Sequence, residues 1–410
     1  MKLCVIRLIV LACGSLAAIG TFSAQSLPLV GVGKSHRVPR RLECRLIGPD
    51  LHAGERRSCQ SALTVTPELR ATTLLWDESR LVYGTGSDVG LGSGAPVINT
   101  HNRNHFSGRS DNFDPDRNSG NPRDARFDTE GIRLSNDGKR VYISDEYGPY
   151  VYEFDREDGN RIRSFRLPES FYVATLSPVG ATEISANTSG RTANKGMEGL
   201  AITPDGRALV GIVQAALIQD ANLGGSAAKL LRIFTIDLPS GRVMHQYGYE
   251  LTTGSGVSEI LALNNHEFLV DERDGKGRGD GSNAKVKQLF KIDLAGATDI
   301  SDMNGDTAAL NTVPKTLFVD LVKSLTNAGY TAAQIPAKIE GLAFGPDAQV
   351  NGSTVHTLWV ANDNDFLSTV ADSTGAQIDN PNQFFVFSFT DADLAGSAYV
   401  PQQFNFRKEH

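Results

Sequence analysis

Four glutamates of the chain occupy matching positions in a repeated motif. Glu130, Glu198 and Glu340 are each followed by a glycine and an aliphatic residue, and an aspartate lies seven positions after each glutamate. Glu259 belongs to a fourth copy that lacks the glycine. Carboxylates at matching positions of a repeat converge when the repeats pack side by side. Because converging carboxylates repel one another unless they are protonated or neutralised, this pattern favours a cation-binding site.

The residues around each glutamate predict short β-strands. Apolar residues alternate after the glutamate, and Asp137, Asp205 and Asp347 follow in sequences that we expect only to shape turns. Further strands follow each turn, and residues 320–328 form the best helical segment. The predicted second strands are 141–146, 209–214, 268–273 and 358–363; the third strands are 150–155, 230–237, 288–293 and 384–389; the fourth strands are 162–167, 243–251 and 316–320.

Units of four antiparallel strands, repeated along one chain, are typical of a β-propeller. Residues 44–127 have to supply the remaining blades, and 63–65, 73–76 and 81–83 are the predicted strands there. Residues 88–124 are rich in glycine, asparagine and arginine, which favours a long loop. We therefore expect an all-β propeller of about six blades, with five or seven as alternatives.

This strand arrangement places polar partners beside each glutamate. In an antiparallel hairpin, the start of the first strand lies next to the end of the second. If the first strands line the central channel, all these side chains gather at one mouth of it. The expected neighbours are Asp145 and Glu146 for Glu130, Gln214 for Glu198, Glu272 and Arg273 for Glu259, and Asn362 and Asp363 for Glu340.

These oxygen-bearing side chains predict a divalent-cation site. Oxygen ligands in this number favour Ca²⁺, with Mg²⁺ or Mn²⁺ as alternatives. An alternative interpretation is that each glutamate only satisfies a backbone hydrogen bond between blades and recurs because the blades are repeats. The predicted metal ligands are Glu130, Glu198, Glu259, Glu340, Asp145 and Asn362.

A cation at this mouth would support metal-assisted hydrolysis. It would polarise an ester or phosphoryl oxygen and lower the pKa of a bound water. Glu146 or Asp363 is the predicted general base, and Arg273 is predicted to stabilise the developing negative charge. Because Glu259 lacks the glycine, it is also a candidate for orienting or neutralising Arg273.

Composition limits the kind of partner. The 410 residues carry a formal net charge of −7, and 40% of them are hydrophobic. A nucleic-acid-binding protein needs a basic surface, which an acidic chain does not offer. We therefore expect a monomer that binds a small-molecule ester or phosphoester and has no nucleic-acid partner.

Residues 1–24 have the pattern of a secretory signal peptide. Two basic residues precede an apolar run at 8–20, and small residues follow it. The run is too short for a comfortable membrane span, and no later segment approaches its length. Cleavage would leave a single propeller domain at residues 25–410 of a secreted or periplasmic protein. A lipoprotein anchored at Cys13 is the alternative.

Loss of that segment leaves two cysteines, Cys44 and Cys59. In an oxidising compartment, two cysteines this close in sequence predict one disulfide that constrains an N-terminal loop. Two free buried thiols are the alternative. No Cys-x-x-Cys pair occurs, so the sequence does not support a zinc or haem site built on cysteine.

Several segments resemble the phytase-like family, also described as "esterase-like activity of phytase". They occur in the family's order and together cover roughly residues 70–390. The resemblance implies a secreted β-propeller with esterase- or phosphatase-like hydrolytic activity. The segments are Arg126–Ile132, Ser144–Tyr150, Asn194–Ala201, Val257–Ile260, Phe268–Asp274, Lys338–Leu342 and Asn362–Asp365.

Two other functions are compatible with the same pattern. A gluconolactonase-like lactonase also uses a divalent ion at the centre of a propeller. A non-catalytic cation-binding scaffold would bind the ion without turning over any ester. A panel of lactone, ester and phosphoester substrates, with and without EDTA, distinguishes the three.

Overall fold

A computed structural model describes residues 26–35, 63–65, 73–78, 104–106, 127–147, 150–175, 177, 179–350 and 352–405. The signal peptide, the Cys44–Cys59 disulfide and the strand predicted at 81–83 lie outside the described residues and stay predictions. Within those ranges, no helix combines the length and the apolar character that a membrane crossing requires.

Short β-strands make up most of the described chain. In chain order they are β1 Leu29–Ser35, β2 Leu63–Val65, β3 Trp76–Asp77, β4 Asn104–His105, β5 Thr129–Leu134, β6 Arg140–Asp145, β7 Tyr150–Asp155, β8 Arg161–Arg166, β9 Met197–Ile202, β10 Ala208–Val213, β11 Leu230–Asp237, β12 Arg242–Glu250, β13 Gly256–Ala262, β14 Glu267–Arg273, β15 Lys287–Asp293, β16 Lys315–Asp320, β17 Ile339–Val350, β18 Ser353–Asn362, β19 Thr369–Ala371, β20 Gln377–Asp379 and β21 Asn382–Phe389. The α-helices are α1 Gly180–Ala186, α2 Ile218–Ala221, α3 Gly305–Ala309 and α4 Leu321–Asn327. Turns of 3₁₀ helix occupy Glu169–Phe171, Ala227–Lys229 and Asp391–Leu394.

The strands form four blades. The first blade is β5–β8, the second is β9–β12, the third is β13–β16, and the fourth contains β17, β18, β21 and β1. The first strands β5, β9, β13 and β17 pack against one another in chain order. This arrangement is a β-propeller, so the predicted fold class is confirmed. The described residues supply four blades, fewer than the six expected. Most of residues 36–126, where the other blades were expected, lie outside the described residues.

Local sequence patterns predicted most of these elements well. Most predicted strands agree with the structure to within one or two residues, and the predicted helix at 320–328 is α4. Asp137 and Asp205 shape turns as expected. Each carboxylate accepts a hydrogen bond at 3.0 Å from the backbone N of the second residue after it.

The turn predicted at Asp347 is wrong. β17 bulges between Gly345 and Ala348 and then continues, so Asp347 lies within the strand. Its carboxylate lies 2.8 Å from Nδ1 of His356 on the neighbouring β18. The residues after Asp347 pair with the start of β18. This pairing makes the hairpin of the fourth blade longer than the first hairpin of each other blade.

The outer strand of the fourth blade comes from the other end of the described chain. β1 pairs antiparallel with β21, and β2 pairs parallel with β1. The strand predicted at 63–65 is therefore present as β2, but it extends the fourth blade instead of contributing to another. Because β1 and β21 are far apart in sequence, the fourth blade joins the two ends of the described chain.

The glycine after a repeated glutamate lets neighbouring inner strands approach closely. A Cβ added at Gly131 would lie 2.6 Å from the Cβ of Leu200, and one added at Gly199 would lie 2.8 Å from the backbone N of Ile260. Gly341 has slightly more room, since its nearest neighbour would lie 3.2 Å away. In the first two blades, the Glu-Gly repeat thus has a packing cause as well as a chemical one.

Gly131→Ala and Gly199→Ala are each expected to lower the free energy of unfolding by about 1–3 kcal/mol, because the added methyl group pushes two inner strands apart. Gly275→Ala is the matched control, since nothing lies within 4 Å of a Cβ added there. Urea unfolding of the three variants measures the effect. If Gly131→Ala were as stable as the control, the inner strands would not be packed as described.

The far end of the inner strands is crossed by residues 400–405, here called the C-terminal strap. The backbone N of Val400 donates to the carbonyl of Leu263 after β13 at 2.8 Å. The backbone N of Asn405 donates to the carbonyl of Asn136 after β5 at 2.7 Å. The strap therefore ties the third blade to the first at the end of the strands away from the repeated glutamates.

Candidate functional site

Three carboxylates of the first blade lie close together. Carboxylate oxygens of Asp128, Glu130 and Glu146 all lie within 4.8 Å of one another. Asp128 and Glu130 are two residues apart at the start of β5, so their side chains leave the strand on the same side. Glu146 follows β6, and its backbone N donates to the carbonyl of Asp128 at 3.0 Å. The structure brings Glu146 beside Glu130 and adds Asp128 to the predicted set.

Glu198 of the second blade borders these three residues. Its side chain is buried, with 3% of the residue exposed. Oε1 accepts a hydrogen bond from Nε2 of Gln214 at 2.8 Å, which is the neighbour expected from the sequence. Oε2 is buried and has no hydrogen-bond partner among the described residues. We call Asp128, Glu130, Glu146 and Glu198 the acidic cluster.

The environment of the acidic cluster disfavours ionisation. Burial raises the pKa of Glu130 and of Glu146 well above the ordinary value, and the charge of Glu198 raises both further. Burial and the charge of Glu340 raise the pKa of Glu198 to about 8, although Arg273 and Gln214 act in the opposite direction. A group of carboxylates with raised pKa values is the arrangement that a bound cation would stabilise.

Arg273 lies at the border of the acidic cluster. Its Nη2 forms an ion pair with Glu340 and lies 4.0 Å from Oε1 of Glu198, while its Nε donates to the hydroxyl of Ser258. Burial lowers the pKa of Arg273, but the charges of Glu340 and Glu198 outweigh this and raise it overall. Arg273 therefore stays charged, and it neutralises Glu340 from within the protein.

Lys338 contributes a second positive charge beside Glu340. Burial alone would lower the pKa of Lys338, but the charges of Glu340 and Asp365 raise it overall. Its Nζ lies 2.8 Å from Oδ1 of Asp365. Glu340 thus has two cations of the chain beside it.

Glu259 lies apart from the acidic cluster. Its Oε1 accepts hydrogen bonds from the backbone N of Leu200 at 3.1 Å and of Ile260 at 3.0 Å. Its Oε2 pairs with Nη2 of Arg133 at 3.0 Å, and both side chains are buried. The expectation that Glu259 faces Arg273 is wrong. Glu259 instead joins the inner strands of the first three blades.

A β-bulge explains this difference. The register of β13 shifts between Val257 and Glu259, so Glu259 lies opposite Asp271 while Val257 lies opposite Glu272. Glu272 points to Lys315, whose Nζ lies 2.6 Å from its Oε2. Burial alone would raise the pKa of Glu272, but the bond from Lys315 and backbone N–H donors outweigh it and lower the pKa to about 2.

Three other predicted residues bond to the nearby backbone. Oδ1 of Asp145 accepts hydrogen bonds at 3.1 Å from the backbone N of Asp128 and of Tyr147. Oδ1 of Asn362 accepts one from the backbone N of Gln383 at 2.6 Å. Oδ1 of Asp363 accepts one from the backbone N of the second residue after it at 2.8 Å. These three side chains bond to backbone N–H groups and are not members of the acidic cluster.

Two buried aspartates were not among the predicted site residues. Asp128 has a readable signal, because it lies two residues before Glu130 in an extended segment and must share its side. Asp271 lies beside Glu272 and Arg273 at the polar end of a predicted second strand. Its two carboxylate oxygens are buried, and neither has a hydrogen-bond partner among the described residues. Burial raises the pKa of Asp271 to about 7, against the opposing charges of Arg273 and Lys287.

The fold and the acidic mouth together define a β-propeller with carboxylates converging from neighbouring inner strands. The chain matches the model of the phytase-like family, described as "esterase-like activity of phytase", over residues 66–366. The match spans the first three blades and two strands of the fourth, β17 and β18. The chain therefore belongs to the phytase-like family.

Other similarities are more distant. A protein of Arthroderma benhamiae named "uncharacterized secreted protein" is 29% identical, with 44% of this chain and 41% of that protein covered. This chain thus spans less than half the length of that relative. The hydrazine synthase of Kuenenia stuttgartiensis shows 15% identity and a TM-score of 0.27, with 57% of this chain and 52% of that chain covered. The Cps50 (Swd1) β-propeller domain of Myceliophteria thermophila shows 11% identity and a TM-score of 0.27, with 58% and 52% covered. TM-scores this low carry no information on function.

Proposed function

We propose that the protein is a divalent-cation-dependent hydrolase of carboxylic ester or phosphoester bonds, with the acidic cluster as its centre. One observation carries the proposal: Asp128, Glu130 and Glu146 converge within 4.8 Å of one another, and the neighbouring Glu198 has a buried carboxylate oxygen without a partner among the described residues. A buried polar atom without a partner requires an explanation, and an ion is among the usual ones. The description of the family supports ester hydrolysis.

The residues of the acidic cluster fit a hard cation. Asp128, Glu130, Glu146 and Glu198 offer only carboxylate oxygens, which favour Ca²⁺ and, less strongly, Mg²⁺ or Mn²⁺. A cation bound there would act as a Lewis acid and lower the pKa of a bound water. Glu146 is thereby reassigned from general base to ligand, because its carboxylate lies with those of Asp128 and Glu130.

Two residues of the chain supply the remaining chemistry in this proposal. Arg273 lies beside the acidic cluster, and we assign it to bind an anionic oxygen of the substrate. Its ion pair with Glu340 and its bond to Ser258 hold the guanidinium in a fixed orientation. With Glu146 and Glu198 assigned as ligands, Asp363 stays the predicted general base that accepts the proton of the attacking water.

We also propose that the protein is exported. Residues 1–24 have the pattern of a signal peptide, and the relative from Arthroderma benhamiae is named a secreted protein. Export places the site where free Ca²⁺ is abundant compared with the cell interior, which suits a site of moderate affinity.

Glu130→Gln and Glu198→Gln are expected to abolish Ca²⁺ binding and hydrolysis, because each removes a carboxylate charge and keeps the shape of the side chain. Calorimetric Ca²⁺ titration and rates on an aryl ester, a phosphomonoester and a lactone, with and without EDTA, measure both properties. Asp302→Asn is the matched control, since Asp302 is an exposed carboxylate outside the acidic cluster.

The outcomes distinguish the alternatives. Wild-type rates in folded Glu130→Gln and Glu198→Gln would overturn the proposal. Turnover of the lactone alone would indicate a lactonase. Ca²⁺ binding that raises the melting temperature without turnover of any substrate would indicate a binding scaffold.

A further inference from the structure

The segment between the first and second blades folds back onto the acidic mouth. Residues 168–196, here called the inter-blade insert, contain α1 and end at β9. Gly196 packs directly on the backbone of Glu146, because a Cβ added there would lie 2.0 Å from its carbonyl oxygen. The carbonyl of Gly196 accepts a hydrogen bond from the backbone N of Gln214 at 2.8 Å. The insert is therefore fixed to the second blade where it touches Glu146.

A buried arginine of the insert binds the residue after Glu146. The side chain of Arg191 is 3% exposed, and its Nε donates to the carbonyl of Tyr147. Its Nη1 forms an ion pair with Glu183, whose side chain is 1% exposed. The guanidinium also lies 5.6 Å from the centre of the Tyr147 ring. Arg191 thus connects α1 to the turn that carries Glu146.

Both partners of Arg191 are held by further hydrogen bonds. The second carboxylate oxygen of Glu183 accepts a hydrogen bond from the backbone N of Ser177 at 2.9 Å. The hydroxyl of Tyr147 donates to Oδ1 of Asn194 at 2.8 Å. The backbone N of Tyr147 donates to Asp145 in the first blade. The turn at Glu146 is therefore held by the blade on one side and by the insert on the other.

We infer that Arg191 is a positioning residue for the metal centre. Its fork of donors holds the carbonyl of Tyr147 and the carboxylate of Glu183 together, and this fixes the backbone from which Glu146 reaches the acidic cluster. Groups that orient a metal ligand without touching the metal commonly change affinity by about 10- to 100-fold when they are removed. This inference rests on the proposed function, because it requires the acidic cluster to bind a cation.

The test compares two buried arginines. Arg191→Met removes the bonds to Tyr147 and Glu183, while Arg191→Lys keeps the charge but not the fork. Arg232→Met is the matched control: Arg232 is 1% exposed and pairs with Asp220, and its partners are not members of the acidic cluster. Calorimetric titration with Ca²⁺ gives the affinity, and thermal melting gives the stability of each variant.

We expect Arg191→Met to weaken Ca²⁺ binding by about tenfold or more and Arg191→Lys to weaken it less, while Arg232→Met binds as the wild type. Both methionine variants should melt at a lower temperature than the wild type. If Arg191 only stabilised the fold, Arg191→Met and Arg232→Met would bind Ca²⁺ with equal affinity. Wild-type Ca²⁺ affinity in Arg191→Met, or in Arg191→Lys if the methionine variant does not fold, would overturn this inference alone. A wild-type protein that binds no Ca²⁺ would overturn the proposed function as well.

Discussion

Without added cation, the melting temperature is expected to fall as the pH rises from near 4.5 to about 8. Burial raises the pKa of Glu198 from 4.5 to about 8, and the pKa values of Asp145, Glu259 and Asp271 to about 7. In this window the folded protein binds more protons than the unfolded chain, so the free energy of unfolding decreases as the pH rises. Scanning calorimetry in EDTA at several pH values measures the effect.

Glu272 does not cancel this trend. Its pKa is lowered to about 2, so its stabilising contribution is complete above the unfolded value of 4.5 and is lost only when the pH falls towards 2. The contribution of Glu272 to the free energy of unfolding is therefore constant within this pH window. Loss of stability in strong acid is the separate effect to which Glu272 contributes.

Saturating Ca²⁺ is expected to reduce the decline, because a bound cation favours the ionised carboxylates of the acidic cluster. The part of the decline that comes from Asp145, Glu259 and Asp271 should remain, since these groups lie outside the cluster. The increase in melting temperature on adding Ca²⁺ should be largest at the high end of the window. Glu198→Gln removes one titrating group, so its melting temperature in EDTA should depend less on pH than that of the wild type. A melting temperature that is constant or rises with pH in EDTA would contradict the raised pKa values.

Arg133→Met is expected to lower the free energy of unfolding by about 3–5 kcal/mol, because it leaves the buried carboxylate of Glu259 without its cation. The Arg133 and Glu259 side chains are 4% and 3% exposed, so solvent screens the pair weakly. Urea unfolding monitored by fluorescence measures the loss. The expected loss is larger than for a surface ion pair, because both side chains are buried.

The double variant Arg133→Met with Glu259→Gln separates charge from packing. Glutamine keeps an oxygen for the two backbone N–H groups and removes the charge, so the double variant should be more stable than Arg133→Met alone. Additive losses in the double variant would show that the ion pair does not couple the two residues. Unchanged Ca²⁺ affinity in the double variant would support a structural role for Glu259.

A feature can be predicted from the sequence when residues close together in the chain determine it. Strands such as β7 and β11 were predicted at their observed bounds, because alternation and turn residues are local signals. The approach of Glu130 to Glu146 followed from the hairpin alone. The bulge that moves Glu259 away from Arg273 has no composition signal. The bulge places Glu259 against Arg133 of another blade, a contact between residues far apart in the sequence.

Contacts between segments far apart in the sequence could not be predicted from local sequence patterns either. Nothing near β1 in the sequence indicates that it is the outer strand of the fourth blade, since its partner β21 lies at the other end of the described chain. The same holds for Arg191, which lies in a segment without strand periodicity and acts through Tyr147 of the preceding blade. Predicting these contacts requires the three-dimensional arrangement of the blades.

The C-terminal strap gives the molecule two different faces. At the far end of the inner strands, the strap connects the third blade to the first, and the buried Arg133–Glu259 pair connects the same two blades. The strap therefore lies at the end of the inner strands opposite to the acidic cluster. A dye, a surface or a partner domain attached beside Asn405 would lie on the opposite side of the protein. Such an attachment leaves the side of the acidic cluster unobstructed and gives a way to immobilise the protein by its other end.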